Sequence, residues 1–170
     1  MDEPTKAYIA GRLEHASFVM HRQFTKVLRN NGQPEDSISH ILQIRLVVGD
    51  EKIFNFLLKN TLMKGSPFVT TSGIPKYRLD IAGKEAIRLC NLIFDYFITK
   101  KQHAQVFKEY GQNGFIRDSS AGVPSEMMAK REELYNRLVV LNQKHDGTRK
   151  KYNKREKTTA ETSFFDEFLR

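Results

Sequence analysis

A chain of 170 residues and 19.7 kDa, 39% of them hydrophobic, can bury one sizeable core and has no length for a second full domain. Its net charge of +8 points to a polyanion partner, and a single cysteine, Cys90 in the apolar stretch Ala86 to Phe94, excludes an internal disulfide and a cysteine-rich metal cluster. No apolar run approaches the roughly 20 residues of a membrane span, so no membrane partner is expected.

The start, Met1 to Lys6, is acidic and has neither the apolar stretch of a secretory signal nor an Arg-rich transit pattern. The pattern predicts a first helix after Pro4, with Thr5 as its N-cap. Phe18 to Leu28 has strand-like residues, but its muddled alternation leaves the inward face undecided, and Asn30 to Asp36 is a turn-rich connection. From Ile38 the alternation is clean: Ile38, His40, Leu42, Ile44, Leu46 and Val48 on the core side, Ser39, Ile41, Gln43, Arg45 and Val47 on the other. Asp50 to Leu62 places Ile53, Phe54, Phe56, Leu57 and Leu58 at helical spacing, with Asp50 suited to be its N-cap. Two short strands follow, Ser66 to Thr71 and Lys76 to Ile81, with Tyr77, Leu79 and Ile81 inward and Lys76, Arg78 and Asp80 outward. Gly83 opens an apolar helix to about Phe97, and another helix covers Lys101 to Tyr110. Gly111 to Ser125 reads as a loop, and Met127 and Met128 begin a further helix as core residues rather than a sulfur-based site.

The strand-strand-helix unit thus occurs twice after a leading helix, which predicts an α+β fold of order αββαββα: an antiparallel sheet with helices on one face and the other face open. The open face would carry Arg22, Lys26, Gln43, Arg45, Lys76 and Arg78. A two-stranded ribbon is narrow enough for a DNA major groove, and Arg and Gln suit guanine and adenine edges. Ordinary solvated positions would explain the same pattern.

The domain is expected to span 1–143 and to be followed by a basic tail, 144–170. In the tail Lys144, Arg149, Lys150, Lys151, Lys154, Arg155 and Lys157 outweigh Asp146 and Glu156, a composition that grips phosphates, and Thr162 to Arg170 looks like a short helix with a phenylalanine face. The histidines His15, His21, His40, His103 and His145 are scattered without zinc-site spacing. No phosphate-cradling glycine loop or partnered nucleophile is present in the sequence.

Ile9-Ala10-Gly11-Arg12-Leu13-Glu14-His15-Ala16-Ser17 resembles the signature helix of the LAGLIDADG homing endonucleases. Tyr96 to Gln105 resembles the basic segment that opens a late helix in the single-motif algal branch, and Arg155 to Thr162, preceded by Leu141-Asn142, resembles that branch's C-terminal segment. Three similarities in order make the family's fold the expectation. The resemblance implies that position 16 should be the acid holding a divalent metal, that Lys100 matches a lysine near the scissile phosphates, with Lys101 beside it, and that Asp50 falls where a glutamine positions a water. Ala16 supplies no ligand, and Glu14 points about 200° away on a helix, so no catalytic residue and no cofactor are expected. Magnesium enters only if the protein is a homing endonuclease still cutting double-stranded DNA through another acid.

The resemblance also implies a homodimer in which paired signature helices meet at small residues, here Gly11 and position 15. His15 in that contact would cost about 1–3 kcal/mol, twice over on a two-fold axis, and Arg12 adds charge, so a symmetric dimer is not expected. The expected function is that of a cleavage-defective nucleic-acid-binding protein, RNA favoured over DNA. The resemblance implies an RNA-binding role in an organellar ribonucleoprotein of mitochondrion or chloroplast, ribosome or intron, alongside other subunits. Restoring Ala16→Asp would separate this from a surviving endonuclease.

Overall fold

A computed structural model describes residues 1–28, 34–112 and 124–146. The chain runs α1 (Glu3–Leu13), β1 (Ser17–Leu28), β2 (Pro34–Val48), α2 (Glu51–Asn60), β3 (Lys64–Val69), β4 (Pro75–Ala82) and α3 (Gly83–Ile93). A 3₁₀ turn (Phe94–Tyr96), α4 (Lys101–Gln112) and α5 (Ser125–Asp146) follow. The strands form one antiparallel sheet in the order β1-β2-β4-β3. This is the expected αββαββα arrangement with α4 and α5 added, and α5 runs past residue 143.

Local chemistry accounts for the element ends. Asp2, not Thr5, caps α1: its carboxylate accepts from the Thr5 backbone N–H at 2.9 Å, which puts Pro4 inside the first turn where its missing N–H costs nothing. Hydrogen bonding from the Thr5 side chain first, and from this backbone N–H second, holds the Asp2 carboxyl below its ordinary value. Asp50 caps α2 as expected, accepting from Lys52 N at 2.7 Å and Ile53 N at 3.2 Å. The turn between β3 and β4 needs Gly73, whose φ of 77° is left-handed. Gly65 lets β3 lie against α2: a Cβ there would stand 2.4 Å from the Phe54 ring, which stacks on Tyr77.

The core lies between the sheet and the helices. Phe18, Leu42, Ile44, Leu79, Leu57, Ile93 and Phe107 are fully buried, and Leu134 and Leu138 of α5 close it on the β1 side. Phe18 is ringed by Phe97, His103 and Phe107 at centroid distances of 5.9, 5.8 and 5.3 Å. Cys90 is a core residue whose thiol burial pushes well above its ordinary value. No described helix is long and apolar enough to cross a membrane.

Candidate nucleic-acid interface

Alternation with period 2 sends residues of opposite parity to opposite faces of a strand. Because Leu42, Ile44, Leu46, Leu79 and Ile81 face the helices, the open face receives Ile41, Gln43, Arg45 and Val47 from β2 and Lys76, Arg78 and Asp80 from β4. Register then builds rows across the sheet. Ser17, Arg45, Asp80 and Lys64 lie side by side on β1, β2, β4 and β3, and Val47, Arg78 and Ser66 form the next row.

Asp80 is the hub of that face. Its Oδ1 accepts from Arg45 Nε at 2.8 Å and from Gln43 Nε2 at 3.0 Å, while Oδ2 accepts from Arg78 Nε at 3.0 Å. The Gln43 carbonyl oxygen in turn lies 2.9 Å from His21 Nε2 and 3.5 Å from an Arg45 terminal nitrogen. A carboxylate only accepts, so the amide orientation of Gln43 is forced, and its oxygen is left to take the histidine's proton donor. Arg45 and Arg78 keep side-chain exposures of 44% and 50% against 25% for Asp80, so the arginines stand outside the acid that holds them. Lys64 and Lys76 flank the cluster. The pattern placed Asp80 on this face but gave no sign of its partners, and it missed Lys64 and His21 altogether.

The expectation for Arg22 is overturned. Phe18 and Met20 are buried, so even-numbered residues of β1 face the helices, and Arg22 is paired with the Glu132 carboxylate of α5 while its guanidinium lies 3.8 Å over the Tyr135 ring. Lys26 has the same parity in an unbroken register and shares that face. The alternation looked muddled because β1 outruns the core: beyond Met20 its inward-side residues meet the charged side of α5 rather than apolar partners, and Phe24 is 70% exposed. His40, opposite Arg22, is buried on the same side and its Nε2 lies 2.8 Å from Glu132. Burial pulls the His40 pKa below its ordinary value. The Glu132 hydrogen bond and charge oppose that shift without reversing it, and Arg131 and Arg22 add to it.

At the end of α1 the chain turns sharply, and Ala16 is 3% exposed among core residues. Glu14 reaches the segment before α4, accepting from the backbone N–H of Ile98 at 2.6 Å and of Thr99 and Lys100 at 3.0 Å each, and from the Thr99 hydroxyl. Burial pushes its carboxyl up, but the Thr99 hydroxyl and those backbone donors together leave it below its ordinary value. These residues do not fit a magnesium ion. Position 16 is a buried methyl, Glu14 is committed to backbone donors and Asp50 to its helix, and among the described residues no three of His, Cys, Asp and Glu converge as a metal site. Lys100, expected to touch phosphates, is 6% exposed and held inside the fold, whereas neighbouring Lys101 is exposed, 5.4 Å from the Phe94 ring.

On the outer side of α1, Gly11 and His15 are exposed, and a Cβ on Gly11 would meet nothing within 4 Å. Arg12 bends back onto Tyr8, its Nε donating to the phenol at 3.1 Å, and Tyr8 packs edge-on against Phe56. The tail cations Arg149, Lys150, Lys151, Lys154, Arg155 and Lys157 and the expected terminal helix lie outside the described residues.

Solved structures share this architecture. The archaeal intron-encoded homing endonuclease I-Vdi141I complexed with DNA superposes with a TM-score of 0.61 at 14% identity, over 83% of this chain and 86% of that one. The chain has the LAGLIDADG homing endonuclease fold. A second LAGLIDADG-fold structure, I-CvuI bound to the I-CreI target with magnesium and the DNA not cleaved, matches at a TM-score of 0.53 and 11% identity, over 82% of each chain. A double mutant of I-SmaMI gives 0.57 at 13% identity over 80% of this chain but only 45% of that longer one. No protein-family model matches the sequence, nor does any curated protein.

Proposed function

We propose that the protein binds nucleic acid through the open face of its sheet and does not cut it. The observation that carries this reading is the contrast between two places on one scaffold. The open face presents Arg45, Arg78, Lys64 and Lys76 around Asp80, while the position that should hold a metal-binding acid is the buried methyl of Ala16. Arginine and lysine in these numbers supply phosphate affinity, and a sheet face that the helices leave uncovered supplies a surface for bases. Structures of the same fold in complex with DNA support a nucleic acid as the partner.

RNA is the proposed partner, in an organellar ribonucleoprotein of a ribosome or intron together with other subunits. This part of the reading rests on the resemblance, in which members that no longer cut work on RNA. A-form RNA hides its major groove from a sheet, so contacts would fall on unpaired segments and phosphates. The test is to crosslink the protein in its own cells, purify it and sequence the bound nucleic acid. A discrete RNA is expected. A short, near-palindromic DNA site, cut when magnesium is added, would overturn both halves of the proposal.

A further inference from the structure

A cleft of about 250 Å³ opens on the helix side of the sheet, between the end of α2 and the outer side of α3. Ile81 of β4 and Leu89 form its buried floor, and Met1, Leu62 and Leu92, exposed by 49%, 66% and 45%, stand around its rim. Single exposed leucines are ordinary on a protein surface, but three large apolar side chains around one apolar floor make a contact surface. A cavity of about 150 Å³ holds a benzene ring, whereas cofactors and other small ligands occupy about 300 Å³ or more. The cleft is therefore sized for an aromatic side chain.

The two walls are basic at the top. Lys59 stands on the α2 wall and Arg88 on the α3 wall, both exposed. Arg88 Nη1 donates to Glu85 Oε1 at 2.9 Å, which uses one of the five N–H groups of the guanidinium. An occupant with an aromatic face and an acid on each flank fits such walls.

The chain holds a segment of this kind in Thr162 to Arg170, whose sequence reads as a short helix. At about 100° per residue, Phe164, Phe165, Phe168 and Leu169 share one face, and Asp166 and Glu167 fall on opposite flanks of it. Reach is sufficient. The Asn142 amide donates to the Phe18 carbonyl at 3.0 Å, so the end of α5 lies at the start of β1. The cleft, lined by Met1, lies at the other end of α1, a helix about 16 Å long. Residues 147–161 span up to about 50 Å when extended. A tether of that kind sets a local concentration on the order of millimolar, so even a weak contact is made within one chain before a second copy or another protein competes.

We infer that the cleft between α2 and α3 is the docking site of this chain's own segment Thr162 to Arg170. One phenylalanine ring sits between the apolar side chains, and Asp166 and Glu167 face the walls that carry Lys59 and Arg88. The basic run from Arg149 to Lys157 is then fastened at both ends, by α5 and by the cleft, and passes beside α1.

The test is nuclear magnetic resonance on the full-length protein without nucleic acid, labelled at leucine and methionine methyls. Contacts from phenylalanine rings of the segment to the methyls of Met1, Leu62 and Leu92 are expected in the wild type. Phe168→Ala should lose or weaken those contacts and shift the cleft methyl signals, while Leu42 and Leu134 of the core keep theirs and report an intact fold. Asp166→Lys with Glu167→Lys should weaken the same contacts, and adding Lys59→Glu and Arg88→Glu to that chain should restore them. Contacts found only between differently labelled copies in a mixed sample would give the cleft to a second copy and overturn the inference. Cleft methyls that ignore Phe164→Ala, Phe165→Ala and Phe168→Ala alike would overturn it too, and would leave the cleft to a separate partner. Either result leaves the proposed nucleic-acid binding standing.

Discussion

Glu14 ends the first helix by reaching across to Lys100: its carboxylate accepts the Lys100 backbone N–H at 3.0 Å, along with those of Ile98 and Thr99. Three consecutive donors just ahead of α4 make an anion site at the helix entry, and the chain fills it with its own side chain. The second residue before the expected metal ligand therefore ties α1 to α4, and Ala16 beside it is packed into the core.

Replacing Glu14 should loosen that tie. Hydrogen bonds from backbone donors to a charged acceptor are worth about 1.5–3 kcal/mol, and partial solvent access lowers this. Glu14→Ala is expected to cost about 1–2 kcal/mol in urea denaturation and Glu14→Gln less, because one acceptor oxygen remains. Hydrogen exchange at the start of α4 should quicken in both. Unchanged exchange there would contradict the assignment.

Ala16→Asp is not expected to restore a working metal site in this fold. The methyl is 3% exposed, so the new carboxylate would be buried with no partner to hold it charged. A loss of about 3 kcal/mol or more is expected. Denaturation midpoints with and without magnesium check this: a variant as stable as the parent, or one stabilised by millimolar magnesium, would show that position 16 can reach a metal.

Mild acid should weaken the packing of α5 on the sheet. A carboxylate only accepts, so His40 Nε2 donates to Glu132, and protonation falls on Nδ1, which is buried with no hydrogen-bond partner among the described residues. The folded pKa lies below the ordinary 6.5, so the unfolded chain binds more protons, and the stability His40 contributes is complete above 6.5 and falls away as the pH drops toward its folded value. Denaturation across pH 7.5 to 5.5 in wild type and His40→Gln reads the effect. The variant should show the shallower slope, and equal slopes would place the titration elsewhere.

The protein is expected to sediment as a monomer at nanomolar concentration. Gly11 offers open space on α1, but His15 stands four residues on and is exposed beside Arg12, so a two-fold packing of this helix would meet each bulky group twice. The cost, about 1–3 kcal/mol per crowded contact, should disappear in His15→Gly, which is expected to dimerise more readily. A wild-type dimer that persists on dilution would rule this out.

By itself the sequence determined the order of elements and most of the core, because those follow from periodicities a few residues long. The alternation from Ile38 to Val48 sorts core from surface without reference to the rest of the chain, and Asp50 caps a helix that begins one residue later. The motif from Ile9 to Ser17 likewise announced the fold. Tertiary structure alone decided which side of β1 meets solvent. Period 2 defines two faces but not what covers them, and α5, whose Glu132 lies 110 residues from Arg22 and 92 from His40, claimed both. It also decided the partners of Asp80, which sits 35 residues from Arg45 and meets it only in the β2–β4 register. Burial of Ala16 and Lys100 was settled in the same way: whether a residue at the end of a helix faces water depends on how the next segment turns, and that turn is set by a carboxylate finding donors 84 to 86 residues along the chain.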